Sequence, residues 1–414
     1  MQPVKCALLT GPLRWPNPIR SYNARVETDR PLRILHLTAH SEPGGLSRYI
    51  YDLSLALHLL GHDVRVAGNR GSGHRLFASA PFPFIELPLN GGPLQMWRAA
   101  RALRRHLREH PADVIHSHYR RTTWVGRRLQ SEGRPPLLYT VHLSDMPITW
   151  RSWFSNDYGD HVHVPAADAR RWAIERAGVD ADWISLIPHG IDAARYPVAD
   201  APTRAAARRQ LGLTDEERVA AYVGRLDVPK NEEWLLEVAE RSRESIPSLK
   251  ILVAGGGPHE AAFRSAIVGR RLEGRVVALG ECDDPLSVYQ AADAFLMPSQ
   301  REGFSLATAE AMSVGLPVCR TRTAGAAELI VENVTGRTTA IEREAFVSAA
   351  IEFLRDGAAL ARMSPAAAAH IRANFTFDRQ LKQTIELYRR LAGRAAPATA
   401  SPSRASVKAE ATRV

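Results

Sequence analysis

Short runs of aliphatic and β-branched residues alternate along the chain with longer segments whose apolar positions recur at three and four. Residues 33–38 (RILHLT) read as a buried strand. In 46–60, Leu46, Ile50, Leu53, Leu57 and Leu60 share one helical face, and Gly61 stops the helix. Further strands are predicted at 64–67, 113–117, 137–142, 161–164 and 183–187, with a basic amphipathic helix over 94–110 closed by Pro111. The pattern then restarts, with strands at 219–223, 250–254, 276–279, 294–297 and 316–319 and helical stretches between them. Two such blocks predict an α/β chain of two doubly wound parallel-sheet, Rossmann-like domains. Residues 1–30 are expected to be a loosely ordered extension, 31–195 the first domain and 196–376 the second. A helix over 377–392 is expected to cross back to the first domain. Residues 393–414, small, polar and broken by prolines, are expected to be a disordered tail. Ligands of doubly wound sheets bind beyond the carboxyl ends of the strands, so the expected site is the cleft between the two domains.

Length and composition agree with this division. A chain of 414 residues exceeds one ordinary core, and 45% hydrophobic with 24% charged residues is usual for a soluble protein. The apolar patch at residues 6–9 ends at Gly11 and Pro12, too short for a signal-peptide core, and no run approaches the roughly 18 apolar residues of a spanning helix. Cys6, Cys282 and Cys319 are scattered, without metal spacing or a disulfide framework, which suits a reducing, cytoplasmic setting. The net charge of +10 is uneven: residues 1–195 carry 25 Lys and Arg against 17 Asp and Glu. A basic first half suits an anionic partner, either a membrane surface or a phosphorylated acceptor, and no nucleic-acid motif accompanies it.

The chemistry concentrates in the stretch EGFSLATAEAM, where Glu302 and Glu310 stand eight residues apart after a strand. Glu302 is placed on the loop at the strand end, and Glu310 about two turns into the following helix. The helix start near Ser305 and Leu306 falls between them. Its free amides and positive dipole end suit a diphosphate, and the carboxylates can accept from the hydroxyls of a ribose and a sugar. Arg225 and Lys230 follow Gly224 at another strand end, where fixed cations can neutralise a leaving diphosphate. Gly255, Gly256 and Gly257 form a strand-to-helix turn.

These motifs, with Ile187-Pro-His-Gly-Ile-Asp192, resemble the retaining, family-4-type glycosyltransferases of GT-B fold (glycosyl transferases group 1) through most of residues 33–390. The resemblance implies transfer of a hexosyl group from a nucleoside-diphosphate sugar, of UDP or GDP type, to a hydroxyl acceptor in cell-surface glycan, lipopolysaccharide or glycolipid synthesis, with no cofactor and no metal. It assigns Arg225 and Lys230 to the donor diphosphate, Glu302 to the donor sugar and Glu310 to the ribose. Phe304, Ser305 and Leu306 would close the pocket, and Gly224, Gly255 and Cys282 would border the nucleotide. Gly44 and Gly45 would let the first loop approach the donor, and the first domain would take the acceptor. His142 corresponds to a histidine beside the reacting sugar, although Leu143 and Ser144 stand before Asp145 where relatives have Asp directly after it. Glu328 would contact an arginine or backbone near the cleft. A nucleotide-sugar epimerase or hydrolase on the same scaffold, or a non-catalytic nucleotide-sugar-binding subunit, are the alternatives.

The pairs His116, His118 and His161, His163 each put two imidazoles on one face of a strand. No further cluster with zinc spacing accompanies them, so a structural or acceptor-side role is expected. The basic helix over 94–110, with Trp97, Leu and Met opposite its arginines, is expected to face the core, with an anionic membrane as a candidate partner. Trp150, Trp153 and Phe154 are a second candidate contact for acceptor or lipid.

Overall fold

The computed structural model describes residues 30–39, 44–71, 74–129, 134–144, 146 and 157–393. Expectations placed on residues 1–29, on Asp145, Trp150, Trp153 and Phe154, and on the tail beyond 393 lie outside these residues. The chain forms two units. One runs up to Pro188 and takes in the chain again from Asp378; the other spans His189–Phe377.

The N-terminal unit is built on seven parallel strands: β1 (Arg33–Thr38), β2 (Asp63–Gly68), β3 (Phe84–Glu86), β4 (Val114–Ser117), β5 (Leu137–Thr140), β6 (His161–Val164) and β7 (Ile184–Leu186). They lie in the order β3-β2-β1-β4-β5-β6-β7. β1 therefore pairs with β2 on one side and β4 on the other, and this reversal opens a crevice beyond their carboxyl ends. The helix Gly45–Leu59 follows β1 and buries Ile50, Leu53 and Leu57. The helix Phe377–Ala392 belongs to this unit: Tyr388 is fully buried and its hydroxyl lies 2.6 Å from His116 Nδ1.

The C-terminal unit repeats the plan with six parallel strands: β8 (Arg218–Val223), β9 (Leu249–Ala254), β10 (Val276–Gly280), β11 (Ala294–Met297), β12 (Val318–Thr321) and β13 (Gly336–Thr339). The order is β10-β9-β8-β11-β12-β13, with the reversal between β8 and β11. β8, β9 and β11 are almost wholly buried, as strands covered by helices on both faces must be. The two places where the chain leaves this unit are tied together: Ile191 bridges Thr376, and the Phe377 amide donates to the Ile191 carbonyl. Gly190 permits that approach, because a Cβ there would sit 2.2 Å from the Thr376 carbonyl oxygen.

The periodicity omitted two edge strands. β3 is three residues long between Pro83 and Pro88, and β13 (GRTT) has no apolar alternation. β12 runs to Thr321, past the expected end at Cys319, because Arg320 is an interior strand residue and fully buried. Cys282 stands in a disulfide, against the expectation that the cysteines form no disulfide framework. Cys319 is free and buried. No helix among the described residues is long and apolar enough to cross a membrane.

Candidate active site

In the C-terminal unit the loops after β8 and β11 flank the strand reversal, so the sheet topology itself brings Lys230 and Glu302 together. Lys230 Nζ donates to Glu302 Oε1 at 2.7 Å, and Ser299 Oγ donates to the same oxygen at 2.6 Å. The backbone clasps the two loops. The Gln300 amide donates to the Pro229 carbonyl at 2.7 Å, and Asn231 Nδ2 donates to the Pro298 carbonyl at 3.0 Å. Glu302 is only 8% exposed. Burial pushes its carboxyl up, but Lys230, the Ser299 hydroxyl and Arg320 outweigh that, and it is held below its ordinary value.

Arg225 is half-turned back: its Nε donates to Asp227 Oδ2 at 3.1 Å, and its carbonyl accepts from the Tyr222 hydroxyl at 2.9 Å. The glycine cluster has a reason that the sequence did not reveal. Gly255 takes φ +151°, and a Cβ there would lie 1.8 Å from the Gly224 carbonyl oxygen; at Gly257 it would lie 2.5 Å from that of Leu226. These glycines let the β9 turn close onto the turn carrying Arg225.

The helix Leu306–Val314 begins where the motif predicts, with Ser305 as N-cap in a left-handed conformation (φ +67°). A non-glycine residue held there is strained, a feature common at functional turns. Glu310 is the fifth helical residue, little more than one turn in rather than two. Its Oε2 accepts from the Tyr289 hydroxyl at 2.8 Å. Phe304 is buried, and the loop after β12 rests on it: a Cβ at Gly325 would lie 2.8 Å from the Phe304 Cα.

In the N-terminal unit, Gly44 caps the helix Gly45–Leu59 with φ +146°, which explains the first glycine of the pair. Arg48 pairs with Asp52 on the next turn. Beyond the β1/β4 reversal stands a group of imidazoles, buried except for the half-buried His142. His36 Nδ1 lies 3.0 Å from His118 Nε2, and His118 Nδ1 lies 2.9 Å from His142 Nε2. A second chain has one consistent direction when its imidazoles are neutral. His163 Nε2–H must donate to the Ile187 carbonyl (2.7 Å), which leaves Nδ1 to accept from Thr140 (2.8 Å). The Thr140 oxygen then accepts from His116 Nε2–H (2.6 Å), and His116 Nδ1 accepts from the Tyr388 hydroxyl. Burial lowers His36 to about 3 and His163 to about 4 and pulls His118 and His142 well down, so all four are neutral near pH 7. His36, His116 and His118 bring ring nitrogens within 4.8 Å of one another. Both nitrogens of His116 and of His118 already have partners, so this group is a hydrogen-bond network.

The sequence reading did not single out His36, Ser299, Arg320, Tyr289 or Tyr388. Two signals were present: a histidine inside an apolar strand, and Tyr388 in register with Leu381 and Leu391 on one face of the last helix.

The pattern of the group-1 glycosyl transferases matches residues 203–370, and that of Glycosyltransferase Family 4 matches residues 43–195. The chain belongs to the family-4 glycosyltransferases. A D-inositol 3-phosphate glycosyltransferase of Nocardia farcinica is 28% identical over 415 residues, covering 87% of this chain and 89% of the relative. One from Mycobacterium bovis is 29% identical over 420 residues, covering 88% and 84%. Among solved structures, sucrose-phosphate synthase of Thermosynechococcus elongatus superposes with a TM-score of 0.74 at 22% identity, over 87% of this chain and 99% of that one. The Anabaena protein HepE, solved in complex with UDP-glucose, gives 0.75 at 21%, over 86% and 100%. The fold of this glycosyltransferase is therefore GT-B, and the protein is an enzyme, a hexosyltransferase.

Proposed function

We propose that this glycosyltransferase moves a hexosyl group from a nucleoside-diphosphate sugar to a hydroxyl acceptor with retention at the anomeric carbon. The observation that carries the reading is the Lys230–Glu302 pair beside the start of the helix Leu306–Val314: a cation, a carboxylate and free helix amides converge at one strand reversal. A diphosphate is the anion such a helix start and cation bind, and a sugar hydroxyl is what the carboxylate accepts from. UDP-glucose bound to HepE, which shares the fold, supports that donor class.

In this reading Arg225 and Lys230 hold the diphosphate, and charge growing on the leaving oxygen strengthens both contacts toward the transition state. Glu302 accepts from the donor sugar, Glu310 from the ribose, and Phe304, Ser305 and Leu306 shape the pocket, with Gly224, Gly255 and Cys282 at its nucleotide end. In the N-terminal unit, Gly44, Gly45 and His142 act on the donor, His142 beside the transferred sugar. Among the described residues no carboxylate is read as a nucleophile. The anomeric carbon–phosphate oxygen bond therefore breaks as the acceptor oxygen attacks from the same face, and the acceptor proton passes to the departing phosphate oxygen. The relatives named for D-inositol 3-phosphate support a phosphorylated hydroxyl acceptor.

The test is turnover of a panel of UDP- and GDP-sugars with inositol phosphates and membrane extract, and NMR of the first-formed product anomer. An inverted product would refute retention; a rearranged or merely hydrolysed donor would favour an epimerase or hydrolase.

The helix Pro93–Glu109 supports work at the cytoplasmic face of a membrane. Met96, Ala99, Ala100 and Leu103 face the core, while Leu94 (61% exposed) and Trp97 (52%) stand outside among Arg98, Arg101, Arg104, Arg105 and Arg108. Cosedimentation with phosphatidylglycerol vesicles, lost for phosphatidylcholine vesicles and for Trp97→Ser, is the expected result; equal binding to both would remove this part.

A further inference from the structure

Arg320 lies inside β12, paired in register with Met297 of β11 and Thr338 of β13, and it is wholly buried. Its guanidinium is only partly satisfied. Nη2 donates to Thr323 Oγ1 at 2.7 Å and to the Ala324 carbonyl at 3.3 Å, and Nε reaches the Thr321 carbonyl, but Nη1 has no hydrogen-bond partner. A buried cation with an unused donor is costly, and such groups persist where a nearby charge needs them. The carboxylates acting on it are Glu302 first and Glu328 second. The neighbouring Thr321 hydroxyl donates to the Ser299 carbonyl, and the Ser299 hydroxyl donates to Glu302, so β12 and the Glu302 loop form one hydrogen-bonded block.

The Lys230–Glu302 ion pair exposes a conflict in the donor-binding reading. Lys230 cannot serve a diphosphate fully and also remain the cation of Glu302. If a donor draws Lys230 away, Glu302 becomes a buried carboxylate without its ion-pair partner, and such a group ordinarily takes up a proton. A protonated Glu302 would carry an O–H donor in place of one acceptor site and would accept less strongly from sugar hydroxyls.

We propose that Arg320 is the standing counter-charge of Glu302, holding it as a carboxylate from behind when Lys230 turns to the donor's diphosphate. This rests on the donor reading above and adds to it a positioning residue that does not touch substrate. The charged and titratable groups acting on Glu302 are Lys230 after β8, Tyr222 within β8 and Arg320 of β12, with Glu328 acting on Arg320 in turn. Burial lowers Arg320 to about 10, still well above neutrality, so the cation persists at any working pH.

The experiment is the pH dependence of UDP-glucose and GDP-mannose affinity between pH 6 and 8, read by calorimetry on the full chain. Neither sugar nucleotide titrates in that range, so any slope comes from the protein. The wild type should bind with a flat profile. R320M should bind with proton uptake, its Kd rising toward roughly tenfold per pH unit, and R320K should return to the flat profile. A merely structural Arg320 would weaken binding in R320M equally at every pH, and that result overturns the proposal. Should R320M fail to fold, the guanidinium ¹⁵N resonances of the wild type decide. The Arg320 signal should move when UDP-glucose is added and should not move in E302Q; an unmoved wild-type signal overturns it. Failure of the wild type to bind either sugar nucleotide would instead strike the donor reading itself.

Discussion

The two sheets reverse strand order beside their first strands, at β1/β4 and at β8/β11, and each reversal holds a buried polar cluster of a different kind. The C-terminal one is charged: Lys230, Glu302 and Arg320 sit in or against a dry core. The N-terminal one is neutral near pH 7 at His36, His118, His142 and His163, and its imidazoles, Thr140 and Tyr388 exchange hydrogen bonds. A neutral network is satisfied once each N–H and O–H finds an acceptor, and the chain from Tyr388 to Ile187 achieves this in one direction. A charged cluster also needs each ion compensated, so it can respond when an outside ion arrives. The difference teaches where to expect anion-dependent chemistry: on the side where the charges already are.

The largest effect should come from breaking the charged side. Lys230→Met or Glu302→Gln should lower kcat/KM about 10²–10³-fold, the scale of a lost preorganised electrostatic contact. In Lys230→Met the loss should fall on kcat more than on donor KM, because leaving-group charge peaks late. Steady-state kinetics with the identified donor measure this. A loss confined to KM would reduce the pair to ground-state binding.

Acid should separate the two clusters. Folding holds His36 near 3 and His163 near 4, below the ordinary 6.5, so between these values the unfolded chain binds more protons. Their stabilising contribution is complete above pH 6.5 and drains as pH falls toward 4, at up to about 1.4 kcal/mol per pH unit for each histidine. Glu302 is held below its ordinary 4.5, so its contribution stays whole above 4.5 and is lost only as pH falls further. Urea titrations from pH 7 to 4.5, followed by proteolytic mapping, should show the N-terminal unit opening first. Release of the C-terminal fragments first would contradict the neutral assignment.

Within the N-terminal cluster, the proposed place of His142 at the reacting sugar predicts that His142→Ala costs roughly tenfold in kcat, about 1–2 kcal/mol for one hydrogen bond. His163→Gln, which removes a ring without touching His142, should change stability more than kcat. Equal losses of kcat in both would show that the imidazoles act as one unit.

Much of this architecture was legible. Alternating apolar segments locate eleven of the thirteen strands among the described residues, because those strands carry aliphatic runs. β3, three residues between prolines, and β13, without apolar alternation, escaped, although the edge strands β7 and β10 were found. The meeting of Lys230 and Glu302 was legible because each follows a strand beside the β8/β11 reversal. Arg320 was not: a charge after an apolar run reads as the end of a strand, and only the burial of β12 between β11 and β13 makes it an interior cation. The glycines at 255 and 257 were legible as special but not in purpose, since their neighbours are the backbone of Gly224 and Leu226.

The smallest effect belongs to Glu310, where the charged cluster meets a neutral hydroxyl. Burial, and then Glu310 itself, push the Tyr289 phenol well above its ordinary range, so it remains a donor to that carboxylate. Tyr289→Phe would free Glu310 to leave the orientation in which a ribose could reach it. The expected cost is about 1 kcal/mol, a roughly fivefold rise in donor KM with kcat unchanged, because the ribose lies away from the bond that breaks and is held equally in ground and transition states. Competitive inhibition by UDP should weaken by the same factor, since UDP keeps the ribose and lacks the sugar. A fall in kcat with UDP affinity intact would instead tie Glu310 to the reacting sugar, and the division of labour between the two glutamates would have to be redrawn.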